Sequence, residues 1–465
     1  MTNMPTESLR RSRTEYIAAP PNDVTIALGR LLDRSRERYA RYRAYYNGDH
    51  GVTYTSDKVR DAFAAMVREY NCNLMPAVVD AVADRLQVTG FGVEAGPANA
   101  ADAAWDVWNQ NRMDRKAGEL HQEVLTCGDA YAVVWPDMRA NRVRIWPNRA
   151  DHMTVWYDEE DTDTITMAAK LWTLTDQRAR LTLYYSNRIE RYITRAATNA
   201  PLTAASFVEY VDANEPSFPL VNPWGVVPVF HFANNAALGA FGHSELQGAI
   251  KPQDALNTTV RAMLTAQEYH AMPQRWATGL QVPNDPITGK PQGGIFQPGG
   301  VWAVAHDGVR YGEFSAGDMD QFLRMADAHR LDIARNTGTP LHYMQLMTDP
   351  PSGEALKTLL ERSTKKVKDR QTSLGNTYED MMALVLRMAG NGTDETRLTT
   401  HWSDPAPRSE KEEAETLNIK KALGVSWRQL MVEAGYSDAT IDEMIAERAD
   451  VAARQPVVPS QEAVM

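Results

Sequence analysis

Between residues 130 and 211 the chain alternates apolar and polar positions in seven short runs: Ala130 to Trp135, Arg142 to Trp146, Met153 to Tyr157, Ile165 to Leu174, Arg180 to Tyr185, Ile189 to Ile193 and Phe207 to Val211. Each run is rich in β-branched or aromatic residues and is bounded by turn formers, which is the two-residue period of a half-buried strand. No segment of helical spacing separates one run from the next, so parallel pairing through helical crossovers has no chain to use. The pattern dictates an antiparallel, hairpin-connected sheet and excludes a doubly wound α/β fold.

Helical spacing brackets this region and makes the fold class α+β. From Asn22 to Tyr46 the positions Val24, Ala27, Leu28, Leu31, Leu32, Tyr39, Tyr42 and Tyr45 recur at intervals of mostly three and four, and Asn47-Gly48-Asp49 ends the helix. Pro76 suits the first turn of a second helix with Val78, Val79, Val82, Ala83 and Leu86 on one stripe, stopped at Gly90-Phe91-Gly92. A third helical stretch covers Ala100 to Thr126 and breaks around Asn111.

Beyond Asn222-Pro223-Trp224-Gly225, one more strand is expected over Val226 to Phe232. Ser244 and Gln247 fit a capping box for a helix that runs to about Met272 and bends near Pro252. Gln274 to Gly317 holds nine glycines and four prolines and reads as a small β excursion, with Val301 to Ala305 strand-like. A return helix spans Asp318 to Asn336, and a bulky irregular stretch follows from Leu341 to Pro351. Ser352 caps a helix continuing to Met388, about 55 Å long if unbroken, with a bend at Gly375-Asn376. Ser409 to Arg454 reads as short helices with capping boxes at Ser409/Glu412 and Ser426/Gln429, and residues from Gln455 onward as disordered.

Composition narrows function by exclusion. Among 465 residues there is no apolar run near the length of a membrane span, and the N-terminal Arg10, Arg11 and Arg13 precede no apolar segment of a secretory signal. Cys72 and Cys127 are too few for a disulfide framework or a four-thiolate metal site. With 49 basic against 60 acidic residues the net charge is -11, the wrong sign for tight nucleic-acid binding, which comes mainly from neutralising phosphates.

Catalytic motifs fail on inspection. Gly289-Lys290 lacks both the first glycine and the Ser or Thr of a phosphate-binding loop, having Asn284 and Pro291 there. Gly242-His243-Ser244 starts like a nucleophile elbow without its second glycine, and the helix cap already explains Ser244. His121-Gln122-Glu123 has the His-x-Glu of zinc deaminases without the paired cysteines. The run Asp158 to Asp163 lacks the EF-hand glycine and terminal glutamate, so it reads as a solvated hairpin tip. Ser363 and Lys366 form a Ser-x-x-Lys pair in a helix crowded with lysines. No metal or cofactor is expected, and His121, Cys127 and Asp129 form the one enzyme alternative, a metal or thiol site.

One charge pattern is informative. From Glu354 to Arg370 the cations Lys357, Arg362, Lys365, Lys366, Lys368 and Arg370 outnumber Glu354, Glu361 and Asp369. At about 100° per residue, Lys357, Lys365 and Lys368 share a side facing away from Leu356, Leu360, Val367 and Leu374. The alternative to a nucleic-acid contact is a solvated face with pairs such as Glu361/Lys365.

The order of parts, together with a series of short segments, resembles the portal proteins of tailed bacteriophages, in particular the siphophage type common among actinobacterial phages. The segments are Tyr45-Tyr46-Asn47-Gly48-Asp49-His50, Asn73-Leu74 with Val78 to Val82 and Arg85-Leu86, and Gly128-Asp129-Ala130-Tyr131. Asn222 to Val229, Phe241 to Leu246, Pro252 to Asn257 and Pro273 to Gly279 complete the series. The resemblance implies a ring, usually of twelve subunits, at one vertex of the phage head, with double-stranded DNA passing along its axis. It assigns 1–21 as a flexible N-terminus, 22–240 as the wing, 241–273 and 318–340 as stem helices, and 274–317 as the clip. Residues 341–351 become a tunnel loop, 352–390 a long kinked helix, 391–454 the crown and 455–465 a disordered tail.

The partners implied are further copies of the chain, a large terminase ATPase, a head-to-tail adaptor, the major capsid protein, a scaffold, and weakly held DNA, with no membrane. Lys357, Lys365, Lys368, His342, Tyr343, Met344 and Gln345 are the expected channel residues. Asn284, Asp285, Lys290 and Gln292 are the expected clip-docking residues. The resemblance implies a virion component assembled in the host cytoplasm, with the motor a separate protein. A capsid-associated adaptor that never touches DNA is the other alternative.

Overall fold

The computed structural model describes residues 21–50, 72–197, 201–213, 215–237, 241–271, 275–278, 308, 310–313, 319–344, 353–406, 410–433, 441 and 444–447. The chain divides into two compact units, Met1–Pro405 and Ala406–Met465. Helix α1 (Pro21–Arg34) passes through a π-helical segment (Ser35–Tyr39) into α2 (Ala40–Tyr46), so the single helix expected there is interrupted by a wider turn. Helix α3 (Met75–Ala83) has Pro76 in its first turn, where its missing N–H costs no intrahelical bond.

Strand β1 (Val88–Ala95) contains Gly90 and Gly92, which the sequence pattern reads as a helix stop and turn. It pairs with β13 (Arg397–Trp402) from the far end of the unit. A Cβ on Gly92 would lie 2.6 Å from His401 Nε2, so the glycine gives that ring its place across the ladder. Residues 391–405 therefore fall in the first compact unit.

Helices α4 (Ala100–Gln110) and α5 (Met113–Cys127) break where expected, at Asn111-Arg112, and Arg112 adopts a left-handed φ of 54°. The buried Asn111 explains the break. Its Nδ2 donates to the carbonyls of Val107 (2.9 Å) and Val143 (3.0 Å), and its Oδ1 accepts from Ile145 N (3.0 Å). One side chain thus closes a helix end and fastens it to a strand.

The expected strands form, but as two antiparallel sheets rather than one. The first has the order β10-β2-β3, with β2 at Asp129–Asp137, β3 at Arg142–Asn148 and β10 at Val229–Ala233. The second has the order β4-β5-β6-β7-β8, with β9 (Leu220–Val221) also on β7. Its strands are β4 (Met153–Tyr157), β5 (Ile165–Thr173), β6 (Ala179–Tyr185), β7 (Arg188–Thr194) and β8 (Phe207–Glu209). Alternation splits the inward residues of β2 between two cores. Ala130, Ala132 and Val134 join the helical core with Trp108, Leu125 and Phe232, while Tyr131 and Val133 pack with Val155, Ala168 and Tyr184 of the larger sheet. The opposite face of that sheet, including Leu181 and Leu183, packs on Val24, Ala27, Leu28 and Leu31 of α1.

Helix α6 (Ile250–Ala271) begins later than the Ser244/Gln247 signal suggests, because 245–249 form turns. Pro252 then sits in the first turn, where proline is tolerated, so the interior proline invoked for a bend is absent. The carbonyl of Gly248, which a residue with an N–H at 252 would have engaged, accepts instead from Asn336 Nδ2 at 3.4 Å on α7 (Asp320–Thr337). Helices α6 and α7 pack side by side. The chain between them starts and ends in an antiparallel pair, β11 (Arg275–Thr278) with β12 (Arg310–Glu313). Val301 to Ala305 lies outside the described residues.

Helix α8 (Gly353–Ala389) is α-helical without interruption through Gly375-Asn376, so the expected bend breaks no backbone ladder. It buries Val367, Leu374, Tyr378, Met381, Met382 and Val385 in the main core. A Cβ on Gly375 would come within 3.2 Å of Trp402 Nε1, so the glycine leaves room for that indole. The second unit contains α9 (Glu410–Ala422) and α10 (Trp427–Glu433), joined through Gly424 at φ +89°. Ser426 Oγ accepts from Gln429 N at 3.3 Å, as the capping signal requires, whereas Ser409 lies outside the described residues. No helix among the described residues is long and apolar enough to cross a membrane.

Candidate functional site

The basic run on α8 divides into two faces. Lys366 and Arg370, one turn apart, point inward to Glu245, whose side chain is 8% exposed. Lys366 Nζ lies 2.6 Å from Glu245 Oε2, and Arg370 donates from Nη2 (2.9 Å) and Nε (3.1 Å) to Oε1. Asn234 Nδ2 adds a fourth donor at 3.1 Å. Burial would raise the Glu245 carboxyl, but the two cations outweigh it and hold the group below the usual carboxylate range. Two of the six cations in the run are thus structural. Lys365 and Lys368 are exposed, and the expected Glu361/Lys365 pair does not form. Of Lys357, only the backbone lies among the described residues.

The expected tunnel-loop residues separate as well. Leu341–Tyr343 form a 3-10 turn, and Met344 is buried in the main core of the protomer. Tyr343 is 38% exposed and accepts from Arg85 Nη2 at 3.3 Å, while burial and the Arg85 charge lower the His342 pKa. Gln345, Asn284, Asp285, Lys290 and Gln292 lie outside the described residues.

His121, Cys127 and Asp129 do not assemble a reaction centre. His121 Nε2 is 3.0 Å from the hydroxyl of Tyr378, and burial pushes its pKa down to about 4. The Cys127 thiol is buried against Tyr39 and Ala150, and burial followed by the Glu123 charge drives its pKa well up, away from a thiolate nucleophile. Asp129 faces a third set of partners: His231 Nε2 at 2.9 Å, Tyr39 OH at 2.6 Å and Gly242 N at 2.7 Å. Burial alone would raise its carboxyl, but these donors keep it below the usual range. No group of three or more His, Cys, Asp or Glu among the described residues could hold a metal ion.

Asp129 instead anchors a joint that sequence reasoning missed. His231, 102 residues away, bridges Asp129 to Tyr157 OH, which lies 2.5 Å from Nδ1, and so links β2 and β10 to β4. The π-helical segment aims Tyr39 at the same carboxylate and places Arg38 on the carbonyl of Gly242. Gly128 and Gly242 touch backbone to backbone: a Cβ on Gly128 would lie 2.7 Å from Gly242 O, and one on Gly242 would overlap the carbonyl oxygen of Gly128. Ser244 Oγ donates to Thr126 O at 2.5 Å and caps Leu246 N at 3.0 Å.

A second joint ties α6 to the first helices. Tyr45 OH donates to both oxygens of Asp254 (2.8 and 3.0 Å), and His50 lies 3.0 Å from Tyr45 O and 2.8 Å from Asn257 Nδ2. Leu74 N donates to Gln253 Oε1 at 3.1 Å. Polar residues buried in this way fix geometry rather than offer a reactive group to solvent.

The polar residues singled out above are committed to joints between elements of the framework. The family model described as phage portal protein, SPP1 Gp6-like, matches residues 31–451, and the chain belongs to that family. It is 26% identical over 391 residues to the portal protein of Mycobacterium phage D29, covering 79% of this chain and 76% of that protein. It is 24% identical over 388 residues to the portal protein of Mycobacterium phage L5, with the same coverage of 79% and 76%. Among solved structures, a chain in the neck of an empty gene transfer agent particle aligns with TM-score 0.45 and 15% identity, over 82% of this chain and 92% of that one.

Proposed function

We propose that copies of this chain close into a ring at one vertex of the phage head, and that double-stranded DNA enters and leaves along the ring axis. The observation that carries the reading is the family match over 31–451, joined to the layout of two helices, α6 and α7, side by side with a β-closed excursion between them. In this reading 22–240 is the wing, α6 and α7 are the stem, 274–317 is the clip, α8 crosses between wing and channel, and the crown begins after Pro405. The protein turns over no substrate. A separate terminase ATPase docks on the clip and drives packaging, and a head-to-tail adaptor later takes its place. The major capsid protein and scaffold hold the ring in the virion.

The acidic balance suits a conduit. Every phosphate neutralised by the wall adds counterion-release affinity and hence resistance to sliding, so a channel built from chains of net charge -11 holds DNA weakly. Lys357, Lys365 and Lys368 are the cations of α8 assigned to the ring's inner or lateral surfaces. Light scattering on the purified chain, with negative-stain imaging, tests the proposal: closed rings with a central hole are expected. A chain that stays solitary at every concentration, salt and temperature tried refutes it.

A further inference from the structure

Lys365 and Lys368 are exposed on α8 and, unlike Lys366 and Arg370, make no ion pair among the described residues. The exposed residues beside them are Glu361, Arg362, Asp369 and Thr372. That mixture of signs is a poor phosphate track, which needs cations without interleaved carboxylates, and a good surface for another protein.

The complementary surface is on the same chain. Glu159, Glu160, Asp161 and Asp163 are exposed at the β4–β5 hairpin tip and ion-pair with no described residue. Asp380 is exposed on α8 beside the half-buried Glu379, and partial desolvation, the Glu379 charge and the Asp163 charge together raise its carboxyl's pKa. Among the described residues no cation forms an ion pair with these carboxylates, and no metal-binding group exists. Lys365 and Lys368 precede Asp380 by 15 and 12 residues, which at 1.5 Å per residue separates the patches by about 18–22 Å along the helix. The lysines cannot answer these carboxylates within one copy.

We propose that the Lys365/Lys368 face of α8 docks against the Asp163/Asp380 surface of the next copy in the ring. The proposal rests on the ring reading and supplies what that reading requires. A ring is closed by head-to-tail contacts, which join two different patches of one chain, unlike the self-complementary patch of a two-fold dimer. Opposite charges on two distinct surfaces also favour the correct neighbour and register over like-to-like association.

The test is a charge swap on the full chain. Lys365→Glu/Lys368→Glu and Asp163→Lys/Asp380→Lys should each raise the concentration for half-assembly, read by light scattering at moderate salt, by roughly tenfold. The quadruple variant carrying both changes should return to within about threefold of wild type, a rescue that general loss of stability does not produce. Circular dichroism checks folding, and Lys365→Gln/Lys368→Gln replaces any reversal that misfolds, with a smaller shift in the same direction. Rings that assemble at the wild-type threshold in either double variant overturn the proposal and leave the ring reading standing. So does normal assembly with weakened DNA retention, which makes the lysines a DNA contact. A wild-type chain that never assembles overturns both.

Discussion

Replacing Glu245 by glutamine tests the claim that the inner face of α8 is structural. The carboxylate receives Lys366 at 2.6 Å, Arg370 at 2.9 and 3.1 Å, and Asn234 at 3.1 Å, and the three ionic side chains are only 8%, 15% and 12% exposed. Removing one member of a buried ionic set leaves the others uncompensated and costs about 3–5 kcal/mol. Lys366 keeps the Thr337 carbonyl at 2.7 Å, which places the loss near the lower end, at about 3 kcal/mol. The sign with pH follows from linkage. Glu245 is held below its unfolded pKa, so its stabilisation is full above the ordinary glutamate value near 4.5 and fades as pH falls through the lower folded value. Urea unfolding followed by tryptophan fluorescence should show a lower midpoint for Glu245→Gln at pH 7, with the gap from wild type narrowing below about pH 4.5. A loss under about 1 kcal/mol at pH 7, or a gap that persists unchanged into acid, refutes the reasoning. Glu245→Leu with Lys366→Met and Arg370→Met should recover most of the loss, because it removes the charges together.

Three further outcomes follow from the joints. Gly242→Ala, whose Cβ would overlap the Gly128 carbonyl, should cost at least about 2 kcal/mol and show as lost soluble yield, while Gly118→Ala, with open space around it, should be silent in the same assay. Asp129→Asn removes the charge that His231, Tyr39 and Gly242 surround and should lower stability at pH 7 by about 2 kcal/mol in urea titration, less in acid, where the wild-type carboxylate protonates below its already depressed pKa. Cys127, buried with its thiol pKa raised, should resist a thiol reagent at pH 8 until the chain is unfolded, whereas the half-buried Cys72 labels first; mass spectrometry of the labelled peptides decides.

The strands from Ala130 to Val211 were legible because alternation is local, but the break between β3 and β4 that makes two sheets was not, since alternation does not say which consecutive runs pair. The β1–β13 pair was not, since Gly90 and Gly92 mimic a turn and their partners lie some three hundred residues away at His401 and Thr399. Helical arithmetic set Lys357, Lys365 and Lys368 apart on one side of α8 but offered no partner for Lys366 and Arg370. The acid that turns the latter pair inward is more than 120 residues earlier. Asp129 was visible as a polar residue beside a strand, and the fault was to seek its chemistry among neighbours in sequence. Its partners are Tyr39, 90 residues before it, and His231, 102 after it. The π-helical turn that delivers Tyr39 has no sequence signature in an otherwise regular amphipathic helix.

The segments that carried the family resemblance meet one another in space. Gly128-Asp129 closes on Phe241-Gly242, Tyr45 and His50 close on Asp254 and Asn257, and the Trp224 carbonyl accepts from Arg387 on α8. Glu245, three residues past Gly242, locks the same junction to Lys366 and Arg370. Helix α6 is therefore clamped at its start by both the sheets and α8, through hydrogen bonds and ion pairs that hold orientation as well as distance. In the ring proposed above, the junction between the 22–240 region and the paired helices α6 and α7 has to be stiff, and a buried polar clamp supplies that stiffness where apolar packing alone would let the helix pivot. On this argument a clamp variant that still folds should perturb the uniformity of assembled particles before it perturbs the protomer.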